Sequence, residues 1–325
     1  MTILESPHSV IKTAAAAAHH HNKPLRIAIL LNSYRSPFIH EIRDSYVRSL
    51  SQVAHHPDNQ LSFFYPADNY KQENDLPNLS RVEYDLIVVG GGNADPRKKH
   101  AWILRVHNFI LDTVKNYPQQ KICGICWGHQ TIGMLFGGEV VDLEYPELGV
   151  TEAALTPLGQ KFFESSQHHH HHHRASQHFK GHGGAHGGDV KKVLSLQQHH
   201  RRALGAAPKG FHELLVGNQA FVSHNNAILT FQGHPEKDAR CAKLRVGDAV
   251  RWYSLGKSSG SEGEVGSSES EEEERVTILG RIQKDMERQH DGVEVWGRIL
   301  DWVKEGNSGA SHEIPHRHHG GGMHL

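Results

Sequence analysis

The sequence predicts an α/β domain built on a parallel sheet, and three observations carry that expectation. From Pro24 onward, short apolar runs alternate with segments of helical periodicity, as strands alternate with crossover helices. Within the helical segments, apolar residues recur at spacings of three and four, which places them on one face. Finally, residues 14–21, 167–188, 258–274 and 312–325 of the 325-residue chain are too poor in large apolar side chains to offset the entropy of ordering. What remains suffices for one sizeable domain, placed at 24–305 between a disordered tail at 1–23 and a disordered His/Gly-rich tail at 306–325.

The elements follow in order. Arg26 to Leu31 is the first buried strand, and Ser36-Pro37 supplies an N-cap and first helical residue for a helix striped by Ile39, Ile42, Tyr46, Leu50 and Val53. Leu61 to Tyr65 and Tyr84 to Val89 are the next strands, the second running straight into Gly90-Gly91-Gly92. A long helix is marked by Trp102, Leu104, Val106, Ile110, Leu111 and Val114. Lys121 to Ile125 is a short buried strand, and the helical run Thr131 to Phe136 follows it. Closely spaced short runs at Glu139 to Leu143, Val150 to Leu155, Val193 to Leu196, Leu214 to Val216, Ala220 to Ser223 and Ala227 to Phe231 predict antiparallel additions to the sheet. Thr277 to Met286 and Val293 to Val303 are terminal helices. A low-complexity His-rich insert at 165–190 and a Ser/Glu-rich loop at 257–275 interrupt the domain.

Composition excludes several classes of partner. Lys+Arg 35 against Asp+Glu 36 leaves a net charge of -1, so no basic field points to nucleic acid or to an anionic membrane. No apolar run approaches the roughly 18 residues of a membrane span, and the alanine run near the N-terminus lacks both the apolar core of a secretory signal and an Arg-rich amphipathic pattern. The 3 cysteines make no disulfide framework and fit a reducing compartment, which predicts a cytoplasmic protein.

The segment Cys123-Gly-Ile-Cys126-Trp-Gly128-His-Gln130 carries the most chemical information. Glycines two before and two after Cys126, between a strand and a helix, form the pattern of a nucleophile elbow. There the thiol projects from the turn, and the helix N-terminus behind it favours thiolate. Cys126 could also be a core thiol, or half of a redox or zinc pair with Cys123. The flanking glycines favour the nucleophile, since neither alternative demands them, and core burial suits Cys123 better. Farther on, Thr230-Phe-Gln-Gly-His234-Pro-Glu236 leaves an apolar strand, so His234 and Glu236 would reach the carboxyl edge of the sheet together. A cysteine hydrolase needs a histidine to move a proton and often a carboxylate to fix its tautomer.

These residues resemble the class I glutamine amidotransferase family, whose nucleophile and His-x-Glu motifs match Gly124 to Gln130 and Gly233 to Glu236 in the same order. The resemblance runs from about Lys23 to Ala242. It implies a three-layer, flavodoxin-like fold with an open, mostly parallel sheet flanked by helices. It also implies hydrolysis of the γ-amide of glutamine, or of a γ-glutamyl compound, through a thioester on Cys126, with His234 as base and acid and Glu236 orienting it. Gly92 and Trp127 become the oxyanion donors through their backbone N–H groups, and Gln130 and His200 become substrate contacts. The glycine loop read alone is a tight turn. The segment Gln198-His199-His200-Arg201-Arg202 departs from the family pattern, because an acidic residue is expected where Arg202 stands, and this departure points toward a different γ-glutamyl substrate.

No cofactor and no dedicated metal site are expected. Two partners stay open, a separate synthase subunit that takes the ammonia, or none, with the chain acting alone as a γ-glutamyl peptidase on glutathione-type conjugates. A reading from another class is a non-catalytic metal-binding or interaction protein that uses His168 to His173, His178, His182 and His186. Those imidazoles suit zinc, nickel or copper, but without fixed ligand spacing they read as a low-complexity insertion. The acidic run Glu271 to Glu274 reads as a solvated loop.

Overall fold

A computed structural model describes residues 10–12, 23–68, 75–164, 191–244, 246 and 280–307. The insert at 165–190, the loop at 257–275 and nearly all of both tails lie outside the described residues.

Five strands form the parallel centre of the sheet: β2 (Arg26–Leu30), β3 (Gln60–Phe64), β4 (Leu86–Val89), β5 (Lys121–Ile125) and β10 (Ile228–Phe231). All except the edge residue Arg26 and the half-buried Gln60 are buried, as expected when helices cover both faces of parallel strands. Antiparallel strands extend the sheet, β1 (Val10–Lys12) beside β3, and β9 (Ala220–Ser223) then β8 (Phe211–Leu215) beyond β10. The order is β1-β3-β2-β4-β5-β10-β9-β8. The α/β expectation of an open, mostly parallel sheet flanked by helices is met.

The helices are α1 (Ile39–Ser51), α2 (Ala101–Asn116), α3 (Trp127–Leu135), α4 (Pro157–Glu164), α5 (Ala239–Leu244) and α6 (Gly292–Lys304), and residues 280–286 are also helical. One apolar layer joins Ile42, Tyr46 and Leu50 of α1 to Ile29, Leu61 and Trp296. The other joins Trp102, Val106 and Ile110 of α2 to Ile87, Ile122 and Trp127.

Several expectations need correction. Phe38, not Ser36, is the N-cap of α1, and it makes no side-chain cap. Ser36 instead closes a turn one step earlier, its Oγ accepting from the Phe38 N–H at 3.3 Å. Leu104 faces outward at 42% exposure, and Ile103 takes the buried place. The runs Glu139 to Leu143 and Val150 to Leu155 belong largely to one strand, β6 (Glu139–Ala154), which pairs antiparallel with β7 (Val193–Ala206) as a separate two-stranded ribbon. An irregularity between Asp142 and Glu147 accounts for the break in its apolar pattern. The run ending at Phe231 is parallel to β5, so only β8 and β9 of that series are antiparallel additions to the main sheet. Residues 10–12, within the segment expected to be a disordered tail, form β1.

Among the described residues, no helix is long and apolar enough to cross a membrane. Trp296 is wholly buried and meets Tyr46 edge-on, with ring centroids 6.1 Å apart. Trp296→Ala should therefore lower the unfolding free energy by about 3–5 kcal/mol. Leu104→Ala on the exposed side of α2 should change it by less than about 1 kcal/mol. Denaturant titration of the two variants against the parent checks both values.

Candidate active site

The sheet order decides what can meet. β5 lies between β4 and β10, all three parallel, so whatever follows β5 is flanked at the carboxyl edge by the segments that follow β4 and β10. Those segments are Cys126, Gly90-Gly91-Gly92 and His234-Pro-Glu236, respectively.

Cys126 occupies the turn between β5 and α3 with φ 51° and ψ -99°, a left-handed conformation that a side-chain-bearing residue rarely adopts. Its N–H donates to the Phe231 carbonyl at 2.8 Å, and its carbonyl accepts from the Gln130 N–H at 2.9 Å, so the turn is fixed on both sides. The flanking glycines have separate steric reasons. A Cβ on Gly124 would stand 2.7 Å from Ile132 Cδ1, and one on Gly128 would stand 1.8 Å from the Val89 carbonyl oxygen. Without a side chain at Gly128, α3 lies directly against the end of β4. Trp127 is the first residue of α3, so its N–H has no partner inside the helix.

The glycine loop crosses the other two groups. A Cβ on Gly91 would be 2.9 Å from His234 Cε1 and 3.8 Å from Cys126 Cβ, so the loop passes directly over both side chains. One on Gly92 would be 2.7 Å from the Asn32 carbonyl oxygen and 3.0 Å from Trp127 Cγ. Asn32, just beyond β2, donates from Nδ2 to the Gly90 carbonyl at 3.0 Å.

His234 is buried, and its Nδ1 lies 2.7 Å from Glu236 Oε1, itself buried. A carboxylate accepts here, so the proton of a neutral imidazole sits on Nδ1. The other ring nitrogen, Nε2, has Lys237 Nζ at 3.3 Å. The His234 N–H donates to the Gln197 carbonyl of β7 at 2.8 Å, which ties this turn to the ribbon.

The ribbon also grips the glycine-loop side. Arg202 Nη2 donates to the carbonyls of Asn93 and Ala94 at 3.3 and 3.0 Å, and Gln130 Nε2 donates to the Arg202 carbonyl and, at 3.1 Å, to Gln232 Oε1. Arg97 bonds Asp95 and Asp142, adding a second tether from the loop to β6. His200 stands between these anchor points, its Nε2 3.1 Å from Glu147 Oε2 across the ribbon.

Burial separates the remaining titratable groups from chemistry. It pushes the thiols of Cys123 and Cys241 up, and it lowers His129 to about 3, leaving a neutral ring beside Thr230 and Phe221. It also raises the Tyr46 phenol, with the charge of Glu236 adding to the effect. Among the described residues, no group of three or more His, Cys, Asp or Glu is arranged to hold a metal ion, and the His-rich insert lies outside them. A cavity of about 860 Å³ opens at the opposite, amino-terminal edge of the sheet, bordered by Arg26, Gln60, Tyr84 and Lys121, away from the elbow.

Cys126, His234, Glu236, Gly92 and Trp127 thus sit at one edge, with Gln130 directed into the contact between α3 and β7, and His200 on the ribbon. Sequence reasoning passed over Gly91, Asn32 and Lys237. Lys237 directly follows Glu236 on the same turn, and that adjacency was the available signal.

The profile of the family described as "Glutamine amidotransferase class-I" matches residues 39–246. The chain is 26% identical over 284 residues to the glutamine amidotransferase-like protein chyE of Penicillium rubens, covering 86% of this chain and 98% of that one. It is 23% identical over 227 residues to gamma-glutamyl peptidase 5 of Arabidopsis thaliana, covering 66% and 77%. The crystal structure of a glutamine amidotransferase from Thermotoga maritima superposes with a TM-score of 0.52 at 17% identity, over 88% of this chain and 100% of that one, a likeness of fold.

The contact between Gly128 and Val89 gives a direct test of the elbow. Gly128→Ala should cost more than about 4 kcal/mol of stability, since rigid backbone stands where the methyl group must go. Gly280→Ala, where a Cβ meets nothing within 4 Å, should be neutral or stabilising. Chemical unfolding of both variants is the check.

Proposed function

The chain belongs to the class I glutamine amidotransferase family, and we propose that it hydrolyses the γ-amide of glutamine or of a γ-glutamyl compound through a thioester on Cys126. The observation that carries this reading is the meeting of Cys126 with the His234–Glu236 pair beneath one glycine loop.

The Cys126 thiolate attacks the γ-carbonyl carbon, and the N–H groups of Gly92 and Trp127 hold the oxyanion. Each such donor is worth about 2.7–4 kcal/mol of barrier lowering where one has been removed from a hydrolase. Nε2 of His234 takes the thiol proton and gives it to the departing amine, while Glu236 holds the proton on Nδ1. Water, activated by the same histidine, then cleaves the thioester and frees the glutamyl group. Gln130 contacts the substrate through its side-chain carbonyl oxygen, and His200 from the ribbon. The domain in this reading is 24–305.

Arg202 bears on which substrate is taken. Its buried guanidinium sits on the residues that follow the glycine loop, so the segment offers a cation and not a carboxylate to the α-ammonium of the glutamyl group. Glutamine and γ-glutamyl peptides share that α-ammonium, so the choice between a stand-alone γ-glutamyl peptidase and a subunit that feeds ammonia to a synthase rests on the leaving group the site accepts.

Glutamate release from glutamine, glutathione and a panel of γ-glutamyl dipeptides tests both levels of the reading. Cleavage of the peptides, abolished by Cys126→Ala, is the expected result. Release from glutamine alone, and slow, would favour a synthase partner, and release undiminished in Cys126→Ala would overturn the mechanism.

A further inference from the structure

The mechanism leaves Lys237 unused, although its ammonium stands against the base. The residue is 2% exposed, beside His234 at 2% and Glu236 at 1%, and its Nζ lies 3.3 Å from Nε2 of His234. Burying an ammonium is costly unless a partner receives its N–H, and the Nε2 lone pair does so here. The turn from His234 to Lys237 therefore carries a row of carboxylate, imidazole and ammonium, with Glu236 at one ring nitrogen and Lys237 at the other.

The two neighbours act in opposite senses. Glu236 favours a doubly protonated, positively charged imidazole. Lys237 opposes it twice, because Nε2 cannot accept both a proton and the lysine N–H, and because two positive charges would stand side by side in a site with little water. We propose that Lys237 is a positioning residue for the base, holding the resting His234 imidazole neutral with its proton on Nδ1 and leaving Nε2 only when that nitrogen takes the thiol proton. The proposal rests on the assignment of His234 as base.

Among the described residues, the groups named next face this turn and are neutral or paired. Tyr46 from α1, Cys123 from β5 and Cys241 from α5 are kept protonated by burial, and His290, ahead of α6, is kept neutral by burial. Asp238 bonds Arg48 of α1, which also bonds Glu41, and Asp291 bonds Lys191 and the Ser195 N–H. Cys126 is the reacting group itself, and Arg202 is held by the loop carbonyls.

The test reads the imidazole directly. In histidine-labelled full-length protein, the NMR resonance that disappears in His234→Asn is His234, and its titration is followed in the parent, Lys237→Met and Lys237→Arg. Met keeps the length of the apolar stem without the charge, and Arg keeps a donor and a positive charge. The expected result is at least a tenfold rise in proton affinity in Lys237→Met, about one pH unit, largely reversed in Lys237→Arg. The acid limb of glutamate release should move to higher pH by the same amount. An unchanged midpoint in Lys237→Met, or an equal shift in both variants, overturns the proposal. Should the parent release no glutamate, the proposed activity fails, while the titration still decides whether Lys237 controls His234.

Discussion

The left-handed backbone at Cys126 is the constraint on which the rest of the structure depends. A residue with a side chain held at φ 51° costs about 1–3 kcal/mol and persists only where its surroundings over-determine it. Here they do. The Phe231 carbonyl fixes its N–H, the Gln130 N–H fixes its carbonyl, and the bare faces of Gly124 and Gly128 let α3 close against Ile132 and Val89. The same closeness brings Trp127 beneath Gly92, so the geometry of the thiol and that of the glycine loop are not independent.

Parallel topology supplies the second level of order. β4, β5 and β10 end together, and three short segments of sequence become neighbours because their strands are. The β6–β7 ribbon then closes the arrangement from the side. Gln197 holds the backbone of His234, and Arg202 holds the carbonyls beyond Gly92. One strand therefore touches both flanks of Cys126. The side chain that departs from the family pattern lies on that strand, which ties the question of substrate to a structural clamp.

What could be read from the sequence was what is local. The strand ending at Val89, the strand ending at Ile125, the helix behind Cys126 and the glycine spacing each fall within one short window, and periodicity or turn chemistry finds them. The ribbon was not legible in the same way. Its strand Glu139–Ala154 contains Tyr145 at 71% exposure and a register irregularity, so its apolar pattern looks like two pieces, and its partner lies beyond a 26-residue insert at 165–190. Arg202 was visible as a departure, but its carbonyl partners are 108 and 109 residues away in the chain. Lys237 reads as one more solvated lysine until the turn folds it onto the imidazole.

The central claim is that Cys126 forms a covalent glutamyl thioester, and mass spectrometry of the acid-quenched protein during turnover tests it most directly. A glutamyl group found on the peptide bearing Cys126, absent when Cys126 is replaced by alanine and lost on longer incubation without substrate, is the predicted result. Turnover by the parent with no adduct on Cys126 at any quench time, or an adduct on a different residue, would contradict it.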